Sequence, residues 1–214
     1  MNGKVCDDGE MTDRAGRLQD RKRRAVREDI AETAERLFLA RGYDATTIDD
    51  IAAECGMSMR TVYRYFPAKD DILVSRFTVS VELLMATLRT RPASEPVWTS
   101  LRAAFEPLTR HVDGRPDRAA ARALHQAIFS TPALLGRYLQ QMHDAQREVA
   151  ELLRARTQAV GPSDAPTADD VILPATVAAA FACFVSAQET WSRHDATLPL
   201  SSVFDQAIDN VLLR

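Results

Sequence analysis

The stretch GMSMRTVYRYFPAKDDIL, from Gly56 to Leu73, decides the fold of this chain. Gly56 can adopt the positive φ that ends a helix, and Ser58 is a suitable N-cap for the helix that follows. Pro67 stops that helix and suits the start of another one. The stretch therefore predicts a glycine turn followed by one short helix.

The short helix has a buried side and an exposed side. Val62 and Phe66 are four residues apart, so they share one face and are expected in the core. The other face carries basic and hydrogen-bonding groups, which suit a polyanion. The candidate DNA contacts here, with the lysine just beyond the helix, are Ser58, Met59, Arg60, Thr61, Tyr63, Arg64, Tyr65 and Lys69.

Two more helices are predicted before this stretch. The first runs from about Arg23 to Arg41, and Gly42 ends it. Its apolar stripe, at spacings of three and four, is Ile30, Ala34, Leu37 and Phe38.

The other helix follows two threonines. Thr46 and Thr47 each have an aspartate three positions on, a variant of the capping box, so both are predicted as caps. Because a helix N-terminus suits anions, both are also candidate phosphate contacts. The predicted buried face is Ile48, Ile51, Ala52 and Cys55. Three helices with a tight turn between the last two predict a helix-turn-helix, whose last helix enters the major groove of DNA.

The positions that match a known signature are Phe38, Gly42, Tyr43, Thr46, Thr47, Ile51, Ala52, Gly56, Ser58, Thr61, Tyr63, Tyr65, Phe66, Lys69 and Leu73. This set resembles the N-terminal signature of the TetR family of bacterial repressors, over roughly residues 23–75. Two positions depart from it. The family usually has alanine where this chain has Cys55, and often has glycine where it has Arg60. Cys55 is interpreted as a small buried hydrophobe, with a thiol switch as the alternative.

The resemblance implies a repressor that binds a palindromic double-stranded DNA operator as a homodimer and is released by a small apolar effector. RTVYRYFPAKDDIL and the later TPALLGRYLQQM are more similar to a subgroup thought to sense acyl-CoA-like ligands. Arg60 is the candidate for reading guanine, because its fork matches the O6/N7 pair. Thr61 is a candidate for a thymine methyl or a phosphate, and Tyr63 and Lys69 are expected to hold phosphates.

The expected architecture is all-α, with about nine helices in two domains. A flexible basic N-terminal arm is predicted over residues 1–22 and the helix-turn-helix domain over 23–68. An effector-binding and dimerisation domain is predicted over 69–214, entered through a linking helix at 69–91. The candidate pocket residues, which are also ordinary core residues, are Trp98, Leu101, Phe105, Leu124, Ile128, Phe129, Tyr138, Met142, Phe181 and Phe184.

The last two helices are expected to form a dimer interface. The first of these two predicted helices, at about 169–194, is apolar on nearly all sides, and the second, also apolar, follows Pro199. Two such helices would leave a large apolar face on a monomer, which favours a twofold four-helix bundle. The candidate interface residues are Ala179, Ala182, Val185, Phe204, Ile208 and Val211.

Charge and composition add several expectations. The formal net charge is -3, yet seven arginine and lysine residues lie between 14 and 27, a run that could follow DNA phosphates or remain a solvated tail. No apolar run approaches the roughly 20 residues of a membrane helix, and no signal-peptide core is present, so a cytoplasmic protein with no membrane partner is expected. Cysteine and histidine spacings predict no metal, disulfide or cofactor.

Two other function classes compete with the ligand-responsive repressor. An enzyme with an accessory DNA domain has no support, because no glycine-rich phosphate loop, HExxH motif, nucleophile elbow or carboxylate pair occurs, and no catalytic residue is predicted. An effector-independent architectural or recruiting DNA-binding protein stays open. A second domain that is filled solid would favour that alternative.

Overall fold

The protein is described by a computed structural model covering residues 8–77, 81–158, 168–194 and 198–212, with side chains over 18–76, 81–156, 171–194 and 198–211. All regular structure in these ranges is helical, which confirms the all-α prediction. The helices are α1 Asp8–Arg41, α2 Ile48–Glu54, α3 Met59–Tyr65, α4 Lys69–Phe77, α5 Val81–Thr90, α6 Val97–Asp113, α7 Arg118–Ser130, α8 Pro132–Gln158, α9 Ala168–Arg193 and α10 Leu200–Leu212.

The number of helices differs from the prediction at one place. Residues 69–91, predicted as one helix, are described as α4 and α5, and residues 78–80 between them lie outside the described ranges. Residues 159–167 also lie outside them.

The chain divides into two compact units, residues 1–76 and 77–214. The predicted limit between 68 and 69 would put the whole of α4 in the second domain, whereas this division keeps α4 up to Arg76 with the first unit. Arg76 explains the difference, because its Nε donates to Glu35 Oε2 of α1 at 2.8 Å and its Nη1 donates to Glu28. The two carboxylates outweigh the effect of burial and raise the pKa of Arg76.

The turns of the first unit follow the sequence closely. Gly42 has φ +86° and ends α1, and Gly56 has φ +64° and ends α2, a backbone region in which glycine is not strained. Val62 and Phe66 are fully buried, as predicted. The rest of the core of the first unit includes Ile30, Ala34, Leu37, Phe38, Ile51 and Ala52.

The start of α1 corrects the prediction of a flexible arm. The helix begins at Asp8 rather than near Arg23, so residues 8–22 are helical, while residues 1–7 lie outside the described ranges. The physical reason lies in the composition of this segment. It contains no proline, and most of its residues, such as glutamate, arginine, lysine, glutamine, leucine and alanine, are good helix formers.

In the second unit, α9 packs against α6, α7, α8 and α10. An aromatic cluster lies where these helices meet. Phe105 of α6 is 5.0 Å from Phe181, 4.8 Å from Phe184 and 5.4 Å from Phe204, measured between ring centroids. Offset and edge-on rings at these distances attract one another beyond the area they bury. The cluster therefore joins α6, α9 and α10 in one core.

Polar contacts also fix α10 to α6. Arg102 donates from Nη2 to Asp205 at 2.8 Å and from Nη1 to Asp209 at 2.5 Å. The carboxylate of Asp113 accepts from the backbone N–H groups of Leu200, at 2.6 Å, and Ser201, at 3.1 Å. Because the first N–H groups of a helix lack partners within it, Asp113 serves as the cap of α10 from a distant part of the chain.

The expectation that no apolar run approaches membrane-spanning length is wrong. Val171–Arg193, a stretch of 23 residues within α9, is long and apolar enough to cross a membrane, judged by length and composition alone. The same length and composition occur in core helices, and α9 packs against four neighbours in the second unit. Gln188 and Ser192 are also buried on it.

Candidate nucleic-acid interface

The exposed face of α3 is formed by Met59, Arg60, Tyr63 and Arg64. Met59 is 47% and Tyr63 50% exposed, and both arginines are exposed. Positions i, i+1, i+4 and i+5 lie on one side of a helix, opposite the buried Val62. The face combines two guanidinium groups, a phenol and a thioether, which can contact phosphates, base edges and the thymine methyl group.

Both ends of α3 are held by hydrogen bonds. Ser58 is the N-cap, and its hydroxyl accepts from the backbone N–H of Thr61 at 3.2 Å and lies 2.9 Å from the Thr61 hydroxyl. At the other end, Arg27 Nη1 donates to the carbonyl oxygen of Tyr65 at 2.9 Å. The Tyr65 side chain is half-buried, and the guanidinium of Arg64 lies 5.2 Å from its ring centroid. The backbone of α3 is therefore held at both ends by residues outside the helix, Ser58 before it and Arg27 of α1.

Arg27 is a positioning residue that the sequence does not single out from the other arginines. Its guanidinium lies over the ring of Phe66, 4.2 Å from the centroid. Burial and the nearby charge of Arg23 lower its pKa, partly offset by Asp71. The sequence around Arg27 does not predict this role, because Arg27 and its partner Tyr65 are 38 positions apart along the chain.

Thr47 is the N-cap of α2, as predicted. Its hydroxyl accepts from the backbone N–H of Asp50 at 3.1 Å, and the Asp50 carboxylate accepts from the backbone N–H of Thr47 at 2.8 Å. The hydroxyl of Thr47 also lies 2.5 Å from the same carboxylate. These bonds with Thr47 lower the pKa of Asp50. The predicted capping box is confirmed at this pair.

Thr46 does not cap α2, and that prediction is wrong. Its side chain is fully buried, and its hydroxyl donates to the carbonyl oxygen of Gly42 at 2.9 Å. Because this hydroxyl is buried and bonded to the protein's own backbone, Thr46 is not among the proposed DNA contacts. Cys55, expected to be buried with Ile48, Ile51 and Ala52, is only half-buried. Burial nevertheless raises the pKa of its thiol.

Lys69 bridges the turn before α2 to the start of α4. Its Nζ donates to the carbonyl oxygens of Tyr43 at 2.8 Å and Thr46 at 3.0 Å, and lies 4.1 Å from the ring centroid of Tyr43. The hydroxyl of Tyr43 in turn donates to Asp70. The sequence does not predict this structural role, and contact with a phosphate stays a prediction.

Two family models match the chain. One, described as bacterial regulatory proteins of the tetR family, matches residues 30–75, and one described as the MftR C-terminal domain matches residues 95–213, more than half of the chain. The chain belongs to the TetR family. The family consists of helix-turn-helix transcriptional regulators, generally repressors, which are not enzymes.

Curated relatives of this TetR-family regulator match along most of its length. TcmR of Streptomyces glaucescens, an HTH-type transcriptional regulator, is 29% identical over 201 residues, which cover 91% of this chain and 86% of TcmR. MftR of Mycobacterium tuberculosis, named as a putative regulator of mycofactocin biosynthesis, is 29% identical over 192 residues, covering 89% and 91%.

Solved structures share the fold. FadR of Thermus thermophilus, a repressor in complex with lauroyl-CoA, has a TM-score of 0.58 at 20% identity and covers 87% of this chain and 93% of its own. FadR of Bacillus halodurans has a TM-score of 0.56 at 15% identity, covering 87% and 94%.

The residues predicted to line an effector pocket lie mostly in the core of the second unit. Trp98 and Phe129 are half-buried, and the indole Nε1 of Trp98 is a buried donor without a hydrogen-bond partner within the described residues. Tyr138 is buried and its hydroxyl donates to Gln188. The other predicted pocket residues are buried: Leu101, Phe105, Leu124, Ile128, Met142, Phe181 and Phe184.

The predicted dimer residues separate into two groups. Phe204 is 2% exposed and Ile208 fully buried within the single chain, so their assignment to an interface between chains is corrected: they face the core shared with α9. Ala182 and Val211 are exposed, and Ala179 and Val185 are half-buried. An apolar stripe in the sequence does not tell which helix will cover it, and here α9 covers the inner face of α10.

Proposed function

We propose that this TetR-family regulator is a repressor that binds a palindromic operator as a homodimer and is released by a small apolar effector. The observation that carries the proposal is the exposed face of α3, held at one end by the Ser58 cap and at the other by Arg27. A recognition helix with fixed ends presents its side chains to base edges with little loss of conformational freedom. As a DNA-binding regulator, it is expected in the cytoplasm.

Arg60 is the proposed sequence reader on that face, and Tyr63, Arg64 and Lys69 are proposed phosphate contacts. The experiment selects binding sequences from random duplexes and titrates the enriched duplex against a scrambled one. An enriched palindrome is the expected result. Arg60→Ala should reduce the preference for the selected site by about 1–3 kcal/mol, and Arg89→Ala, at an exposed position on α5, should not. An unchanged preference in Arg60→Ala would remove this residue from the reading role.

The homodimer is proposed to pair the outer faces of α9 and α10. Val171 and Ile172 are 73% and 57% exposed, Val211 is 49% exposed, and Ala182 is exposed further along α9. Small residues allow helices to approach closely, and a twofold homodimer carries two copies of α3, as the reading of a palindrome requires. Ala182→Glu is expected to produce monomers by light scattering, with DNA affinity lowered in parallel. A dimeric Ala182→Glu protein would contradict this interface.

The effector is proposed to bind among α6, α7, α8 and α9. The buried indole N–H of Trp98 offers a donor without a protein acceptor among the described residues, as a polar anchor in an apolar pocket would. The structure of Thermus thermophilus FadR holds lauroyl-CoA, and an acyl-CoA-like ligand is proposed here as one effector class. By linkage, the effector must weaken DNA binding by the factor by which DNA weakens effector binding.

Lauroyl-CoA is therefore the first probe, added to the preformed complex with selected DNA, with free coenzyme A as the matched control. Release by lauroyl-CoA alone supports the acyl-CoA class.

The alternative function, an effector-independent architectural or recruiting protein, draws support from the close packing of Phe105 with three other phenylalanine rings. DNA binding that no apolar ligand in a broad screen weakens would favour that alternative.

A further inference from the structure

A strongly basic segment lies within α1, before the helix enters the core of the first unit. Arg21, Lys22, Arg23, Arg24 and Arg27 are all exposed, and Asp20 is the one acidic residue among positions 18–27. The chain as a whole carries a formal net charge of -3. A local excess of positive charge on an acidic protein indicates a place where a polyanion binds.

This segment is helical, so its charges have fixed places. α1 continues without a break from Asp8 through residues 21–27 to the buried Ile30. At about 1.5 Å per residue, Arg21 lies about 9 Å from Arg27 along the helix axis. A helix exposed on nearly all sides over this length gains little from packing. Leu18, 52% exposed, and the half-buried Val26 have the basic Arg21 and Lys22 between them on the same side of the helix, so no continuous apolar stripe forms.

Arg27 attaches the segment to the recognition helix. Its bond to the carbonyl oxygen of Tyr65, at 2.9 Å, joins α1 to the last residue of α3. The basic residues 21–24 therefore begin within one helical turn of that junction and continue from it toward the start of α1. A duplex whose bases contact α3 carries backbone phosphates on either side of those bases, the groups that a basic segment beside α3 would bind.

Two like charges lie close together on α1 next to this junction. Arg23 and Arg27 are four residues apart and share a face of α1. Burial is the main cause that lowers the pKa of Arg27; the nearby charge of Arg23 lowers it further, and Asp71 partly offsets both. A phosphate between such groups would relieve the repulsion, and DNA supplies a row of phosphates.

We propose that residues 21–24 of α1 form a second DNA-contacting element, which binds phosphates of the duplex flanking the bases that α3 reads. The inference rests on the proposed operator binding and adds a separate, sequence-independent contact to it. The element sets the length of duplex required for full affinity, while the choice of sequence stays with α3.

The test combines one protein variant with two duplex lengths. In the variant, Arg21, Lys22, Arg23 and Arg24 are each replaced by glutamine, a good helix former, and Arg27 is kept because it holds α3. The control replaces four exposed arginines of the second unit by glutamine, which makes the same change in net charge: Arg89, Arg110, Arg137 and Arg147. The duplexes are the selected operator with no flanks and with flanks of about five base pairs, about 17 Å of DNA, at each end.

The wild type and the control are expected to bind the flanked duplex at least about tenfold more tightly than the unflanked one, and the variant to bind both alike. If each chain of a dimer makes one phosphate contact fewer, the slope of log K against log salt should also become shallower by about 1.8. The ratio of affinities for selected and scrambled sequence should not change. A variant that keeps the flank dependence and salt slope of the control overturns the inference.

A measurement on the wild type covers the case in which the variant does not fold. Hydroxyl-radical footprinting on the flanked duplex should show backbone protection outside the selected palindrome, and protection confined to the palindrome overturns the inference. Failure of the operator proposal looks different. In that case the wild type would show no preference for any selected sequence, whatever the length of the duplex.

Discussion

Lys69, although predicted as a DNA contact, is also expected to stabilise the first unit through the contacts of its ammonium group. Lys69→Met keeps much of the aliphatic chain and removes the ammonium group that donates to the carbonyl oxygens of Tyr43 and Thr46 and lies over the Tyr43 ring. Hydrogen bonds to charged groups contribute about 1.5–3 kcal/mol each, and an exposed cation–π contact about 0.5–1 kcal/mol.

The lower ends of those ranges sum to about 3.5 kcal/mol. Lys69 is half-buried, so water can replace part of what the ammonium group supplied. In addition, the carbonyl oxygen of Tyr43 keeps the bond it accepts from the backbone N–H of Thr46, at 3.3 Å. We therefore expect Lys69→Met to lower the free energy of unfolding by about 2–3 kcal/mol.

The assay is urea unfolding of Lys69→Met, followed by circular dichroism, with Lys22→Met as the matched control at an exposed position of α1. The control should change the free energy of unfolding by less than about 0.5 kcal/mol. Both tryptophans, Trp98 and Trp191, lie in the second unit, so their fluorescence reports on it separately. Equal stability of the two variants would refute the reasoning, because it would mean that the Lys69 contacts contribute nothing beyond solvation.

Three further outcomes are expected. Thr47→Ala should lower the free energy of unfolding by about 1 kcal/mol in the same urea assay, because it removes the hydroxyl that caps α2; an unchanged stability would show that water replaces the capping bonds. Phe105→Ala should cost about 3–5 kcal/mol, seen as a lower midpoint by tryptophan fluorescence, because three rings lose their common neighbour. Burial raises the pKa of Cys55, so its thiol should react with a disulfide reagent at pH 7 more slowly than a free thiol; rapid labelling would favour the thiol-switch interpretation.

The first unit can be predicted well because its determinants are local. Gly42 and Gly56 end helices through their own backbone conformations, and Ser58 and Thr47 cap helices through groups three residues away. Such features can be recognised in a short window of sequence. The contacts made by Arg27 and Lys69 cannot, because their partners are 38 and 23–26 positions away along the chain.

The second unit is harder to predict because an apolar stripe does not identify its partner. The sequence pattern favours Phe204 and Ile208 at a dimer interface, yet α9 and α6 of the same chain pack against α10. In α8, Leu139 is 44% exposed, while Leu134 is fully buried. Apolar character alone therefore does not show which side of α8 faces the core.

The signature residues of the first unit serve two purposes, and the structure separates them. Thr46 is buried, Lys69 donates to the carbonyl oxygen of Tyr43 in the turn before α2, and the Tyr43 hydroxyl donates to Asp70 at the start of α4. These residues therefore stabilise the helix-turn-helix whatever DNA sequence it binds. Met59 and Arg60, by contrast, are exposed on the outer face of α3. Exchanging them should therefore alter the preferred operator with little change in stability, whereas exchanging Thr46 or Lys69 should lower stability first.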